Sequence, residues 1–338
     1  MKKKILLAVP VFIFCMAGLS FSDGLSVEIS GFVDTSYSDT SSSDISTFSL
    51  DQVEVDLKKE VKGVGTVRAD LNYSTLTSPT STDDVLEQGF VTIEKFPVTV
   101  MVGKFNAPIG FELLDAPEMY QFSHAMVFDF GLPSNLTGIN FSGGFSMFDV
   151  NVYYVNGWDL ISDDNKEKTV GGRLGLDLGE VAHLGVSYIS GKEGADTALA
   201  DPLSLNVFDV DLTITPFSRL TFGAEFNSGV HKGMSAVKPG DNAEWTAYLF
   251  MGHYDFNDEF GFTIRYDAFD DKDGARLGGM VKEKRNSYTV ASTFSVGEGF
   301  AGLIEYRRTT SDQNVFTDSS GAPEDSGSSL AAELTYTF

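Results

Sequence analysis

The chain has 338 residues, a formal net charge of −24 and a sequence pI of about 4.4. This acidity argues against nucleic acid as a partner, because phosphate groups repel a chain of the same charge. After residue 22 there is no run of about 18 apolar residues, which excludes membrane-spanning helices. Aromatic residues and glycines are nevertheless plentiful, with 28 Phe, 12 Tyr and 34 Gly.

The first residues have the features of an export signal. Lys2–Lys4 form a positive segment, Ile5–Ala17 form an apolar segment, and Ser20–Ser22 supply small residues for cleavage. The apolar segment is too short and wrongly flanked for a spanning helix. We therefore predict a signal peptide over residues 1–22 and a mature, exported chain over residues 23–338.

The mature chain is dominated by alternation of apolar and polar residues. The segments Val67–Ser74, Phe208–Ile214, Phe260–Asp267 and Leu330–Phe338 each place apolar side chains on one face and polar side chains on the other. Such segments run to about ten residues, which a tilted strand needs to cross a bilayer. Strands of a soluble β-sandwich, the alternative, are usually nearer five or six residues long.

Sixteen such strands are predicted, an even number. Their expected first residues are Val27, Thr47, Gly65, Leu86, Val98, Leu136, Asp149, Lys168, His183, Leu205, Arg219, Glu244, Phe260, Arg285, Phe300 and Ser328.

The links between these strands alternate strictly between short and long. Phe96–Pro97 is one of the short links, and Asn106–Asn135 is the longest of the long polar links. Bacterial outer-membrane barrels have tight periplasmic turns and longer outside loops. The pattern therefore predicts an all-β fold, a transmembrane antiparallel β-barrel of about 16 strands with both termini in the periplasm.

The third outside loop, residues 106–135, is unusual in length and composition. It contains Phe111, Leu113, Leu114, Met119, Tyr120, Phe122, Met126, Val127, Phe128 and Phe130. Long loops without regular structure are usually functional, and apolar side chains are unfavourable in open water. We expect the loop to fold into the barrel as a constriction, with a helix from Pro117 to about Phe128. A hydrophobic lid resting on the rim is the alternative.

Part of this loop resembles a known family. Gly103–Glu112, Asp115–Pro117, Leu132–Pro133 and Thr137–Gly138 are similar to a GKF-x-x-P-x-G-x-E stretch, a DAP motif and a P…TG return in the OmpL-like β-barrel porins. The resemblance implies an outer-membrane channel and no enzyme activity. It says little about the solute.

The polar faces of the strands supply the wall of a water-filled lumen, in which acidic residues outnumber basic ones. The loop adds four candidate constriction residues, Glu112, Asp115, Glu118 and Asp129. Candidate basic residues of the lumen, which could face this acidic loop, are Arg68, Arg173, Arg265 and Arg307. Carboxylates lining a pore favour cations over anions, so a modest cation preference is predicted.

An enzyme or a metal-binding protein would be the alternative to a channel. The histidines His124, His183, His231 and His253 lie in separate segments, without a nucleophile elbow or a zinc motif. Asp270–Gly274 resembles a calcium loop only faintly, since the closing glutamate is missing. We therefore predict no catalytic residues, no metal site and no cofactor.

The combined prediction is an outer-membrane porin that passes small hydrophilic solutes and ions. A non-conducting barrel with a surface-binding or envelope-structural role is the alternative, and an outer-membrane enzyme is a weaker third. Expected partners are outer-membrane lipid and lipopolysaccharide, and the barrel assembly machinery through the terminal Phe338. A homotrimer is expected by analogy with porins of this size.

Overall fold

The computed structural model describes residues 26–41, 45–74, 85–196 and 201–338. The predicted signal peptide, residues 1–22, lies outside these ranges. Within them, no helix has the length and hydrophobicity needed to cross a membrane.

Strands make up most of the described chain. They are β1 (Glu28–Thr40), β2 (Ile45–Val61), β3 (Gly65–Ser74), β4 (Leu86–Ile93), β5 (Thr99–Asn106), β6 (Asn135–Phe145), β7 (Phe148–Val155), β8 (Thr169–Asp177), β9 (Ala182–Glu193), β10 (Leu203–Phe217), β11 (Leu220–His231), β12 (Ala243–Asp255), β13 (Phe260–Asp271), β14 (Glu283–Gly297), β15 (Phe300–Ser311), β16 (Phe316–Thr317), β17 (Pro323–Glu324) and β18 (Ser326–Thr337).

Sixteen of these strands form one closed antiparallel barrel, in which each strand pairs with the barrel strands that precede and follow it in the sequence. β15 therefore pairs with β18, because β16 and β17 lie outside the barrel. The last strand closes the barrel on the first, with Val33 opposite Tyr336 and Asp34 opposite Thr335. The short strands β16 and β17 form a separate hairpin within a long link, which the sequence did not predict. The predicted fold class is confirmed, and every predicted strand begins within two residues of an observed barrel strand.

The two faces of the barrel differ in accessibility, as the alternation requires. In β18, Leu330 and Leu334 are 48% and 47% exposed, whereas Ala331 and Glu333 are 2% and 6% exposed. Apolar side chains thus cover the outside, where lipid would solvate them, and polar side chains point inward. Closure satisfies the backbone groups that an open sheet would expose at its edges.

Two β-bulges change which residues point inward. The pairing of β3 with β4 shifts between Asp70 and Leu71, so that Glu87 has no partner residue. The pairing of β1 with β2 shifts in the same way at Asp51. A bulge adds one residue and locally breaks the period of two. Both bulged acids are consequently buried, with Asp51 3% and Glu87 6% exposed.

The link between β5 and β6, called here the 106–135 loop, contains two short helical turns. A 3-10 turn spans Ala116–Glu118 and a π-helical turn spans Val127–Gly131. The single helix predicted from Pro117 to about Phe128 is therefore wrong. The backbone N–H groups of Ser123, Ala125 and Met126 donate to carboxylates instead of to the carbonyl one turn earlier.

Candidate functional site

The 106–135 loop lies against the inner faces of strands across the barrel. Counted around the sixteen-stranded barrel, β13 is the seventh strand after β6. It therefore lies almost diametrically opposite the strand that follows the loop. The Phe111 N–H donates to Glu225 of β11 at 3.0 Å. The Thr263 hydroxyl of β13 donates to the Tyr120 carbonyl at 2.9 Å. The loop therefore crosses the lumen and is attached to its far wall.

The apolar residues of this loop meet an apolar part of the inner wall. Ala125 and Val127 of the loop and Trp245 and Leu249 of β12 are all fully buried, and they belong to one hydrophobic cluster. Burial of this kind contributes roughly 1.5–3 kcal/mol for each large side chain. The apolar side chains that distinguish this loop from the other, more polar loops are thus packed against apolar residues of the wall.

Two glycines on the wall make room for large side chains. A Cβ built on Gly223 would lie 2.2 Å from the Phe111 ring of the loop, and one on Gly229 would lie 1.9 Å from the Trp245 ring. Side chains at these two places would displace the rings. Gly223 of β11 therefore makes room for a side chain of the loop, and Gly229 of β11 makes room for Trp245 of the neighbouring strand β12.

Glu112 lies at the centre of the attachment. One of its carboxylate oxygens, Oε1, accepts hydrogen bonds from Arg265 Nη1 at 2.7 Å and from Gln121 Nε2 at 2.9 Å. The other, Oε2, accepts one from the Ala125 N–H at 2.7 Å. The Glu112 and Arg265 side chains are 1% and 0% exposed. Glu112 is thus neutralised by a buried partner and does not present a free charge to water.

A second arginine extends this network. Arg307 Nη1 donates to the His124 carbonyl at 2.7 Å, and Arg307 Nη2 donates to Asp267 at 3.3 Å. Asp267 also accepts the Met126 N–H at 3.1 Å. Arg265 and Arg307, on β13 and β15, therefore fix the middle of the loop.

The other two candidate arginines have partners on the wall. Arg173 forms an ion pair with Asp211 through two hydrogen bonds. Arg68 pairs with Asp70 at 2.8 Å and lies 3.7 Å from Asp56. Of the four predicted basic residues, the structure brings two into direct contact with the described loop.

The remaining loop acids differ in their surroundings. Glu118 and Asp129 are exposed, whereas Asp115 is half-buried. Burial, followed by the nearby carboxylates of Glu87 and Glu118, raises the pKa of Asp115 to about 7. A carboxylate oxygen of Asp115 lies within 4.8 Å of one from Glu54 of β2 and one from Glu87 of β4. The loop therefore reaches both sides of the barrel, with Glu112 on the β13 side and Asp115 near β2 and β4.

Sequence reasoning missed Arg276, which lies in the long link between β13 and β14. Its guanidinium carbon is 4.8 Å from the Trp158 ring centroid and 4.7 Å from that of Trp245. Its Nε donates to the Phe130 carbonyl at 2.7 Å. No spacing rule connects these residues, because they come from four separate segments of the chain.

The enzyme alternative is best judged at His253, where the structure places a histidine between a hydroxyl and a carboxylate. His253 Nδ1 is 2.8 Å from Thr263 Oγ1, and Nε2 is 3.0 Å from Asp255. Thr263 is fully buried, however, and its hydroxyl is already donated to Tyr120. A cavity of about 230 Å³ borders His253, Asp255 and Tyr120, and Thr263 is not among its lining residues. Through Thr263, the arrangement contacts the loop.

Comparisons with solved structures identify similar barrels. The outer membrane channel DcaP of Acinetobacter baumannii is 15% identical, with a TM-score of 0.66 over 92% of this chain and 97% of that one. The anion-selective porin from Comamonas acidovorans is 11% identical, with a TM-score of 0.64 over 93% and 99%. OmpT of Vibrio cholerae, in a trimer form, is 12% identical, with a TM-score of 0.65 over 93% and 99%. Such low identities show a common fold only.

The sequence itself gives a more specific assignment. None of the curated proteins matches it. The model of the family described as "Putative beta-barrel porin-2, OmpL-like" matches residues 26–338, nearly the whole chain, including the motifs around Gly103–Gly138. The chain therefore belongs to this family of β-barrel porins of the bacterial outer membrane.

Proposed function

We propose that this porin is a passive channel for small hydrophilic solutes and ions, that the 106–135 loop narrows it, and that it prefers cations modestly. A barrel of about sixteen strands is wide enough for an aqueous lumen. The attachment of the loop to the far wall supports its role as the constriction, because a segment held across the lumen reduces the open cross-section.

The excess of acidic over basic side chains on the inner wall supports the cation preference. Within the described residues, nine acidic side chains have a buried carboxylate oxygen without a hydrogen-bond partner, namely Asp34, Asp51, Glu54, Asp56, Asp115, Asp209, Glu225, Asp267 and Glu283, against two arginines with such a nitrogen, Arg265 and Arg307. Asp267 forms ion pairs with both of these arginines, and Glu283 forms one with Arg285. Fixed negative charge along a lumen raises the local concentration of cations and repels anions.

Single-channel recording of the refolded protein in planar bilayers tests the proposal. We expect stepwise openings and, in a potassium chloride gradient, a reversal potential displaced toward the potassium equilibrium potential. Deleting residues 111–130 should increase the single-channel conductance. A reversal potential displaced toward the chloride equilibrium potential would contradict the cation preference. An unchanged single-channel conductance after the deletion would contradict the proposal that the loop narrows the channel.

One observation favours the alternative of a non-conducting envelope protein. The loop reaches both sides of the barrel, because it is bonded to Arg265 and Arg307 on one side and Asp115 lies within 4.8 Å of Glu87 on the other. Absence of conductance at every protein concentration, in bilayers where a control porin conducts, would favour this alternative. Openings that appear only after deletion of residues 111–130 would identify a barrel that the loop closes.

We also propose that the porin forms a homotrimer in outer-membrane lipid and lipopolysaccharide. The structurally similar OmpT of Vibrio cholerae is described in a trimer form, which supports the proposal by likeness of fold. Light scattering of the detergent-extracted protein should give a protein mass three times that of one chain. A mass of one chain in mild detergent would contradict it.

A further inference from the structure

Three carboxylates lie close together where the loop meets the β2–β4 side of the barrel. Glu54 of β2, Glu87 of β4 and Asp115 of the loop each place a carboxylate oxygen within 4.8 Å of the other two. Glu54 is 1% exposed and Glu87 is 6% exposed. Like charges at such distances repel strongly where water is largely excluded. The cluster therefore requires compensation by positive charge or by bound protons.

Ion pairs among the described residues do not provide this compensation. None of the ion pairs among these residues includes Glu54, Glu87 or Asp115, and Arg68, on the intervening strand β3, is engaged by Asp70 and Asp56. The three carboxylates thus form a negative site without an ion-pair partner.

Buried oxygens without donors provide an independent indication of a ligand. Glu54 Oε2 has no hydrogen-bond partner although the residue is 1% exposed. Asn72 Oδ1 also has none, and Asn72 is 8% exposed. The Asn72 amide lies at the cluster, because its Nδ2 donates to Glu87 Oε2 at 2.5 Å. Buried polar atoms normally have partners, and a set of acceptors without donors is suited to a cation.

We propose that Glu54, Glu87 and Asp115 bind one calcium ion, which fastens the 106–135 loop to the inner wall. Calcium is bound by oxygen ligands at 2.3–2.6 Å, so ligands on opposite sides of the ion lie up to about 5 Å apart. The spacing of the three carboxylates fits this limit. Oxygen-only ligands disfavour zinc and copper, and ligands from three separate segments suit the flexible geometry of calcium better than the strict octahedron of magnesium.

Neighbouring amides would orient the central ligand. Glu87 Oε2 accepts from Asn72, and Glu87 Oε1 accepts from Asn106 Nδ2 at 3.2 Å. Asn106 is the last residue of β5, directly before the loop. Hydrogen bonds of this kind fix the direction of a ligating carboxylate and raise metal affinity. The cluster thus links β2, β3, β4 and the beginning of the loop.

Calorimetric titration of calcium chloride into the refolded, EDTA-treated protein tests the site without reference to conduction. The wild type should bind one ion per chain, also in the presence of excess magnesium. Asn72→Ala should weaken binding by about 10–100-fold, the usual effect of losing a residue that orients a ligand. Glu54→Gln and Asp115→Asn should weaken it at least as much. Asp129→Asn, which removes an exposed acid of the same loop away from the three carboxylates, is the matched control and should bind as the wild type does.

Thermal unfolding guards against variants that merely fold poorly. In EDTA, Glu54→Gln should be at least as stable as the wild type, because one of three repelling charges is gone. With calcium, the wild type should gain stability and Glu54→Gln should not. Absence of calcium binding by the wild type, wild-type affinity in Glu54→Gln and Asp115→Asn, or an equal loss in Asp129→Asn would overturn the proposal. Because this experiment measures calcium binding, the calcium site would remain supported even if the barrel did not conduct ions.

Discussion

At the scale of single residues, the most consequential side chain is Arg265. It is fully buried and forms ion pairs with Glu112 at 2.7 Å and Asp267 at 3.4 Å. We expect Arg265→Met to lower the free energy of unfolding by about 3–5 kcal/mol, because Glu112 would stay buried without a cation and Asp267 would keep only Arg307. Urea unfolding in detergent, followed by tryptophan fluorescence, measures this loss.

Arg219 supplies the matched control for this substitution. It pairs with Asp258 at 3.3 Å, but the two side chains are 47% and 97% exposed. Exposed ion pairs contribute roughly 0–1 kcal/mol, so Arg219→Met should change stability little. Equal losses in the two variants would contradict the role assigned to Arg265.

At the scale of elements, the long loops between strands contact one another. The link between β13 and β14 contributes Arg276, whose guanidinium lies between Trp158 and Trp245 and also binds the Phe130 carbonyl. Asp271 in turn accepts backbone N–H groups of Arg276 and its two neighbours. The loops thus support one another, as well as being fixed to the wall.

We expect Arg276→Ala to loosen these links. Each cation–π contact contributes roughly 0.5–2 kcal/mol, and its loss should let water reach both indoles. The chain has two tryptophans, both in this contact, so the emission spectrum should shift to longer wavelength. Arg308→Ala, at an exposed arginine bonded to Ser326, should leave the spectrum unchanged. An unshifted spectrum for Arg276→Ala would argue against the stacked arrangement.

At the scale of the whole molecule, the closure between β1 and β18 completes the barrel. The Phe338 N–H donates to the Gly31 carbonyl at 3.0 Å, and the Gly31 N–H donates to the Phe338 carbonyl at 3.2 Å. Phe338 also lies next to the outward-facing Tyr336, with ring centroids 6.3 Å apart. Aromatic residues at this end of the barrel form the belt expected at a membrane interface.

Deleting Phe338 should reduce assembly in cells more than stability in vitro. The sequence predicts that the terminal aromatic residue is read by the barrel assembly machinery, whereas only the last pair of closing hydrogen bonds is lost. The amount of heat-modifiable protein in the outer-membrane fraction measures assembly. Phe145→Ala, at an 83% exposed aromatic residue beside a tight turn, is the control. Normal assembly of the truncated chain would refute the predicted signal.

The sequence by itself determined the number and order of the sixteen barrel strands and, outside the bulges, which side chains face inward. These follow from a period of two in hydrophobicity and from the alternation of link lengths, and both are local properties of the chain. The inner wall was predicted for the same reason at positions such as Arg173 and Arg265. The apolar composition of residues 106–135 also indicated that this loop would differ from the others.

Only the tertiary structure decided which charges meet. Glu87 and Asp51 point inward because bulges break the period of two, and no local pattern predicts where one extra residue is accommodated. Three contacts join segments that are distant in the sequence. They are those of Glu112 with Arg265, of Arg276 with the two tryptophans, and of Asp115 with Glu54 and Glu87. They depend on closure of the barrel and on the path of one loop, which bring together residues that the sequence keeps apart.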